Sequence, residues 1–309
     1  MAMTLAEAAK LSNDVLLKGV IETIITESEV LKYLPFIDIV GNGLTYNQEN
    51  TLPSADFYGV GDPWAESTPT FTEQTATLKI LGGDADVDEF LRKTRSNIQN
   101  LKAIVTDLKS KAISRTFEEY FIYGSTTTNA KAFNGLHTLV PTTQQVHAGT
   151  TATPAAGAIK ELKQLIRMVK PGGPQFLIMS RTTLDNLSDY AERNYSPIQF
   201  VKDDFGKRIG MFGGIPIITT DWILQTESIS SSKFSASTGG TATSIFAVRF
   251  GEGELAGCQN DGINVKDLGD LETKDATRTR IKWYVSMALF RTLALARYDG
   301  ITDAAWEAA

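Results

Sequence analysis

Chemistry-bearing residues are scarce: one cysteine, two histidines and ten prolines in 309 residues. A single thiol, Cys258, cannot close a disulfide within the chain or supply a multi-thiolate metal site. Nothing near it suggests a nucleophile partnered by His137 or His147, and a lone buried thiol is the commoner case. The two histidines stand in no H-E-x-x-H array, whereas catalytic zinc takes three protein ligands. Both fall in predicted loops, where the expectation is a solvated imidazole. No apolar run approaches the roughly 18 residues of a spanning helix, and the N-terminus lacks the basic-then-apolar pattern of an export signal. One cysteine and no signal place the expected chain in the cytoplasm. Cations are the minority, 30 Lys+Arg against 36 Asp+Glu for a net −6. That argues against a dedicated nucleic-acid binder, whose footprint is a basic patch, but not against a protein that merely encloses nucleic acid. What remains, 42% hydrophobic and 21% charged, is the composition of a folded chain. It is large enough to bury roughly 74% of its unfolded surface.

Periodicity divides the chain into contrasting stretches. Thr4-Leu-Ala-Glu7 has capping-box spacing, and Leu16, Val20, Ile24 with Leu17, Ile21, Ile25 predict an amphipathic helix ending before Pro35. Leu44–Thr51 and Thr70–Leu81 read as the Thr/Gln-rich arms of a long hairpin whose irregular tip holds Phe57, Tyr58 and Trp64. A lone two-stranded hairpin is marginal in water. It must lie on its own subunit or carry its aromatic tip to another chain. Asp86–Tyr120 predicts one uninterrupted helix, with Asp86 and Glu89 opening it and an apolar stripe through Leu101, Val105, Leu108, Ala112 and Phe117. At ~1.5 Å per residue it would be about 53 Å long. A compact chain of this length has a radius of gyration near 19 Å, so such a rod would span the molecule and favour a flat subunit.

The second half reads as α/β. Residues 141–157 read as a linker or surface loop. Ile159, Leu162, Ile166 and Val169 mark a helix, Gln175–Met179 a buried strand and Thr182–Arg193 a second helix. Phe205–Asp221 is a glycine-rich turn into a strand, and Ser228–Thr243 a low-complexity loop. Strands follow at Ser244–Phe250 and Asn264–Leu268. A long last strand covers Arg278–Tyr298, apolar on both faces and so buried on both.

No constellation for catalysis emerges. Asp84-x-Asp86-x-Asp88 begins like a calcium loop, but Glu89 stands where glycine is needed and Arg95 where the bidentate glutamate is needed. These acids read better as a helix cap. Gly206, Gly210, Gly213 and Gly214 match neither the Walker nor the dinucleotide spacing, and no G-x-S-x-G elbow occurs. The basic residues of the long helix, Arg92 to Arg115, fit a solvated face or salt bridges between subunits.

The order of elements nonetheless resembles the major capsid protein of tailed bacteriophages, the Hong Kong 97-type capsid fold. The residues that carry the likeness are Gly83-Asp84 before the spine helix, Tyr123-Gly124 with Phe133-Asn-Gly-Leu136, Gly206-x-x-x-Gly210-x-x-Gly213-Gly-Ile-Pro216 leading to Thr220-Asp221, and the terminal Ala294-x-Ala296-Arg297-Tyr-Asp-Gly300-Ile301. The resemblance implies an α+β fold with an N-terminal arm (1–40), an extended E-loop hairpin (41–83), a peripheral domain with the spine helix (84–139 plus 271–309) and an axial α/β domain (140–270). It implies a structural protein rather than an enzyme, without cofactor or metal. Such a protein assembles as hexamers and pentamers into an icosahedral shell around double-stranded DNA, with no sequence-specific contact and no membrane. Phe57, Tyr58 and Trp64 become candidate intersubunit contacts. The virion capsid, assembled in the host cytoplasm, is the implied location. A portal is an implied partner, a decoration protein an optional one, and any scaffold is expected to be a separate protein because the arm begins at Met1. Lys79 is the only lysine in residues 41–83 and lies at the hairpin base, so the prototype's lysine–asparagine cross-link is not carried over. The alternative is an encapsulin-type nanocompartment enclosing a cargo enzyme, against which the long arm and extended E-loop count. A soluble α/β enzyme would need a pocket of convergent polar groups, and none is legible.

Overall fold

The computed structural model describes residues 3–4, 15–51, 53–68, 70–95, 101–149, 153–194, 198–202, 208–229, 234–238 and 240–307. In chain order, strand β1 (Met3–Thr4), helix α1 (Val15–Glu27) and β2 (Pro35–Asp38) precede the hairpin β3 (Gly43–Thr51) and β4 (Thr70–Thr77). Next come β5 (Lys79–Asp88), α2 (Glu89–Arg95), α3 (Leu101–Tyr123), α4 (Leu136–Leu139) and β6 (Gln145–His147). The α/β segment contains α5 (Ile159–Met168), β7 (Phe176–Met179), α6 (Arg181–Asn194), β8 (Ile198–Lys202), β9 (Arg208–Phe212) and β10 (Ile215–Thr219). The remaining strands are β11 (Glu227–Ile229), β12 (Phe234–Thr238), β13 (Ala242–Val248), β14 (Leu255–Asp270), β15 (Ala276–Leu289) and β16 (Leu295–Thr302).

The described strands form three sheets. One has the order β1-β2-β14-β15-β5; a larger one runs β12-β11-β13-β7-β10-β9-β8, with β16 joining β13 to β6; the hairpin β3-β4 stands apart. Long β15 pairs antiparallel with β14 on one side and with β5 on the other. Its inward residues Ile281, Trp283, Val285, Met287 and Leu289 are all buried. In the larger sheet, alternate residues serve opposite cores. Ile178, Phe246 and Val248 face a core shared with α1, α3 and β15; Leu177, Met179, Ile245 and Ala247 face a second core under α5 and α6. Burial on both faces is what continuous apolar runs in β7 and β13 require. The Gly213-Gly214 pair, with φ of 58° and 85°, closes the β9–β10 hairpin. A two-residue turn of this kind needs positive φ at both central positions.

Several expectations change. Thr4 lies in a strand paired to Pro35 rather than at a helix cap, and Glu7 lies outside the described residues. The helix expected from Asp86 starts at Glu89, because β5 runs through Asp88. Its described parts are α2 and the 23-residue α3, which at ~1.5 Å per residue is about 35 Å long. The acids read as a cap are strand residues: Asp86 accepts two hydrogen bonds from Arg278 at 2.6 Å each, and Asp84 two from Arg280 at 2.7 and 2.8 Å. Both carboxyls are held below the usual range, chiefly by those guanidinium hydrogen bonds. The expected stripe on α3 holds at Phe117 but not at Leu108 and Ala112, which are exposed, while Thr106, Ser110, Ile113, Ser114 and Phe121 are buried. Small hydroxyl residues let α1 pack closely: Ser114 donates to the Ile24 carbonyl at 2.9 Å, and Ser110 to its own Thr106 carbonyl at 2.8 Å. Hydrogen-bonded in this way, polar residues can be buried without penalty.

The expected linker at 141–157 contains β6, which pairs parallel with β16. Part of the low-complexity stretch forms the β11–β12 hairpin. The expected last strand is two strands in different sheets, parted after Leu289 by a 3-10 turn at Thr292–Ala294. Both histidines are half-buried rather than free in solvent. The His137 imidazole is pushed down to about 3 by desolvation first and Arg297 second, while His147 Nδ1 meets Asp299 Oδ1 at 2.5 Å. Cys258 is a buried thiol, pushed up to about 11 by desolvation.

A buried polar group ties the helix end to the large sheet. Tyr123, the last residue of α3, donates its hydroxyl to Glu227 Oε1 at 2.6 Å. Ser244 donates to Glu227 Oε2 at 2.6 Å, and Arg297 approaches the same oxygen at 3.4 Å. Burial raises the Glu227 carboxyl while Arg297 opposes the rise.

Candidate assembly interface

The hairpin is held at one end and projects at the other. Residues 41–78 contain five acidic side chains and no lysine or arginine, and few are strongly apolar, so the ribbon cannot build a core of its own. Its β3 and β4 strands pair from Gly43↔Thr77 out to Thr51↔Thr70. At the base, Tyr46 packs on Phe290 with ring centroids 4.7 Å apart. The Tyr46 hydroxyl accepts the Leu289 N–H at 3.2 Å, and Gln48 Nε2 donates to the Leu289 carbonyl at 3.0 Å. These two side chains clamp the hairpin to the end of β15, just where that strand leaves its sheet. Beneath them Ile39, Ala76, Cys258 and Ala288 form a small core. Lys79 donates to the Ala130 carbonyl at 2.8 Å, securing the junction with β5.

Beyond the base, Thr70 to Thr75 are each exposed, and so are the large side chains of Phe57, Val60, Trp64 and Phe71. Phe57 at 108% and Trp64 at 81% exposure bury almost nothing within the subunit. Tyr58 differs. It is half-buried, stacks on Trp64 at 4.4 Å, and its hydroxyl accepts the Ala65 N–H at 3.1 Å. Asp62 Oδ2 accepts the Gly59 N–H at 2.6 Å, and Ser67 donates to the Ser54 carbonyl at 3.1 Å. The tip therefore has a shape of its own, and that shape presents Phe57 and Trp64 outward. Of the three aromatics singled out from the sequence, two are presented and one supports them. Val60 and Phe71 escaped the sequence reading. Phe71, the lone large apolar residue of the Thr-rich arm, was the available signal.

A second feature is a cleft of about 600 Å³ between α6, the β10 end and the adjoining ends of α1 and α3. Glu27, Glu29, Glu118, Asp185 and Asp221 line it against Arg115 and Arg181. Arg115 is already paired with Glu27 at 2.9 Å. Glu118 accepts from Ser28 at 2.6 Å, and burial raises its carboxyl. Among the described residues, no three His, Cys, Asp or Glu side chains form a metal-holding group, and no helix is long and apolar enough to cross a membrane.

A clamped hairpin with an unburied tip, a helix backing a sheet of long, mostly antiparallel strands and a second mixed sheet define a class: shell-forming capsid subunits with the Hong Kong 97-like fold. The chain belongs to the Phage capsid family, whose family model matches residues 11–290. Curated protein sequences returned no match. Among solved structures, the chain is similar to the SrpI encapsulin of Synechococcus elongatus PCC 7942 in its holo complex, with 18% identity and a TM-score of 0.70 over 100% of this chain and 99% of that one. It is similar to the capsid of the native GTA particle, at 12% identity and a TM-score of 0.64 over 89% and 91%. A chain of Microbacterium phage Oxtober96 aligns at 14% identity with a TM-score of 0.61 over 89% and 90%. The encapsulin match extends over the whole chain, so the arm and hairpin do not count against that shell type as the sequence reading expected.

Proposed function

We propose that the chain is the major capsid protein of a tailed phage or prophage, forming hexamers and pentamers that close into an icosahedral shell around double-stranded DNA. The observation that carries this reading is the hairpin, clamped at Tyr46 and Gln48 and bare at Phe57 and Trp64. Such a ribbon gains stability by lying across a neighbour. Repeated head-to-tail contacts of that kind close into rings. In this reading 1–40 is the arm and 41–83 the E-loop. Sheet membership supports redrawing the other two domains: β14 and β15 go with the spine helix in the peripheral domain, and β16 goes with β6–β13 in the axial domain. A separate scaffold and a portal are the expected partners, with a decoration protein optional.

The full-length likeness to an encapsulin supports a second reading, a nanocompartment shell around a cargo enzyme. Electron microscopy with light-scattering mass on the purified chain tests the shell. Nuclease-protected double-stranded DNA inside the particles supports the phage reading. A stoichiometric enclosed protein and no DNA supports the encapsulin. A species that stays monomeric even with its neighbouring gene products would refute both.

A further inference from the structure

Two helices cover one face of the large sheet, and their exposed sides carry opposite charge. On α5, Lys160, Lys163 and Arg167 are exposed at i, i+3 and i+7, and Lys170 extends the row just past the helix. The only acid of α5, Glu161, is drawn inward, accepting the Tyr298 hydroxyl at 2.5 Å. Among the described residues none of these four cations has an ion-pair partner. On α6, Asp185, Asp189 and Glu192 are exposed at i, i+4 and i+7, with Arg181 and Arg193 exposed at the two helix ends, so acids outnumber cations three to two. Asp185 opens onto the 600 Å³ cleft, where Glu29 and Asp221 add further negative charge.

The two rows lie on one layer but on different flanks. Leu162 and Leu165 of α5 and Leu187 of α6 enter the same core, so both helices cover the same sheet face. Helix α5 packs over β16 and β6, whereas α6 shares its cleft with Ile217 and Thr219 of β10. A head-to-tail ring needs two different, complementary surfaces on one chain. This chain carries such a pair.

We propose that neighbouring subunits of a capsomer meet with the α5 cation row of one copy against the α6 acid row and its acidic cleft on the next. The inference rests on the shell reading above. It also sets the sense of the ring, because a symmetric α5–α5 or α6–α6 pairing would oppose like charges.

Two full-length variants test it, Lys163→Glu/Arg167→Glu and Asp185→Lys/Asp189→Lys, expressed with the scaffolding partner where one is required. All four sites are exposed, so both variants should melt with the wild type. Each alone should raise the critical concentration for assembly by at least about tenfold. The first variant reverses the centre of the α5 row and the second the centre of the α6 row, so neither pairs well with itself, whereas the two reversed centres complement each other and an equimolar mixture can alternate. The mixture should recover six-membered rings, whereas five-membered rings, being odd, cannot satisfy every contact. Closed shells should therefore stay rare. Assembly of either variant at the wild-type concentration, or a mixture no better than its parts, would overturn the proposal while leaving the shell reading intact. The same holds if the reversed α5 row assembles normally but loses bound nucleic acid, which would assign the row to a polyanion. A wild-type chain that forms no rings would overturn both.

Discussion

Replacing Phe57 and Trp64 with alanine separates folding from assembly. With 108% and 81% of their surface exposed, these side chains have little to lose within the subunit beyond the Trp64 stack on Tyr58, and surface changes of this kind stay within about 0.5 kcal/mol. Buried against a neighbour, an aromatic side chain removes roughly 150–250 Å² from water. At about 25 cal/mol per Å² that is a ceiling of ~4–6 kcal/mol each. Ordering the side chains and the imperfect fit of real interfaces reduce this to the ~2–4 kcal/mol typical of hot spots. A loss of 2 kcal/mol weakens association about 30-fold, and every subunit of a ring contributes one tip. Tyr58 is left in place because it shapes the tip. Two measurements belong together: the melting curve of dispersed subunits and the critical concentration for particle formation by light scattering. The expected result is an unchanged melt with a critical concentration raised by at least about 30-fold per contact. An unchanged melt with wild-type assembly would mean that the aromatics are not buried in trans, and the interface would have to be sought elsewhere. Phe57→Ala alone is the cleanest control.

Three further outcomes test the interior and its electrostatics. Phe117 is fully buried, with ring centroids 5.0 Å from Trp283 and 5.7 Å from Phe133; Phe117→Ala should lower unfolding free energy by ~3–5 kcal/mol with an unchanged denaturant slope, and a loss below about 1 kcal/mol would show the site collapsing freely. Glu227→Ala removes one of two carboxylates close to fully buried Arg297, leaving Asp299 at 3.6 Å; about 3–5 kcal/mol should be lost in the same measurement, and a neutral result would mean that water reaches the guanidinium. Asp84 and Asp86 have lowered carboxyl pKa values, so their contribution is complete above the unfolded carboxylate value near 3.9 and lost as pH falls through the folded values. The Asp84→Asn/Asp86→Asn variant should therefore show a flatter decline of denaturant midpoint below about pH 4 than the wild type, whereas parallel curves would rule out those two pairs as a source of acid sensitivity.

The misplaced start of the spine helix shows where local signals compete. Asp86 and Glu89 have the spacing of a helix cap, yet the same stretch, Asp84-Ala-Asp-Val-Asp88, alternates with the period of a strand. Both patterns are genuine at short range. What decides between them is β15, nearly two hundred residues away, whose Arg278 and Arg280 meet the acids. The stripe on α3 fails at Leu108 for a related reason. Hydropathy ranks Leu108 above Ser110 and Ser114, but a serine bonded to a carbonyl makes no demand on solvent and lets a second helix approach. Of the hairpin, by contrast, almost everything was legible: two Thr-rich arms, an aromatic tip and too little apolar surface to stand alone.

From sequence alone came the properties that depend on composition and short-range period: a single cysteine that cannot close a disulfide within the chain, a hairpin with an aromatic tip, two α/β helices at nearly their observed bounds and an order of elements that points to the capsid fold. Tertiary structure decided what depends on residues far apart in the chain. It drew both histidines partly out of solvent, joined Glu227 to Arg297, divided the last strand between two sheets and clamped the hairpin at Leu289. It also set a basic helix and an acidic helix on different flanks of one layer. The division follows from range. Period and propensity act over a few residues, whereas burial and charge pairing depend on which distant segments the fold brings together.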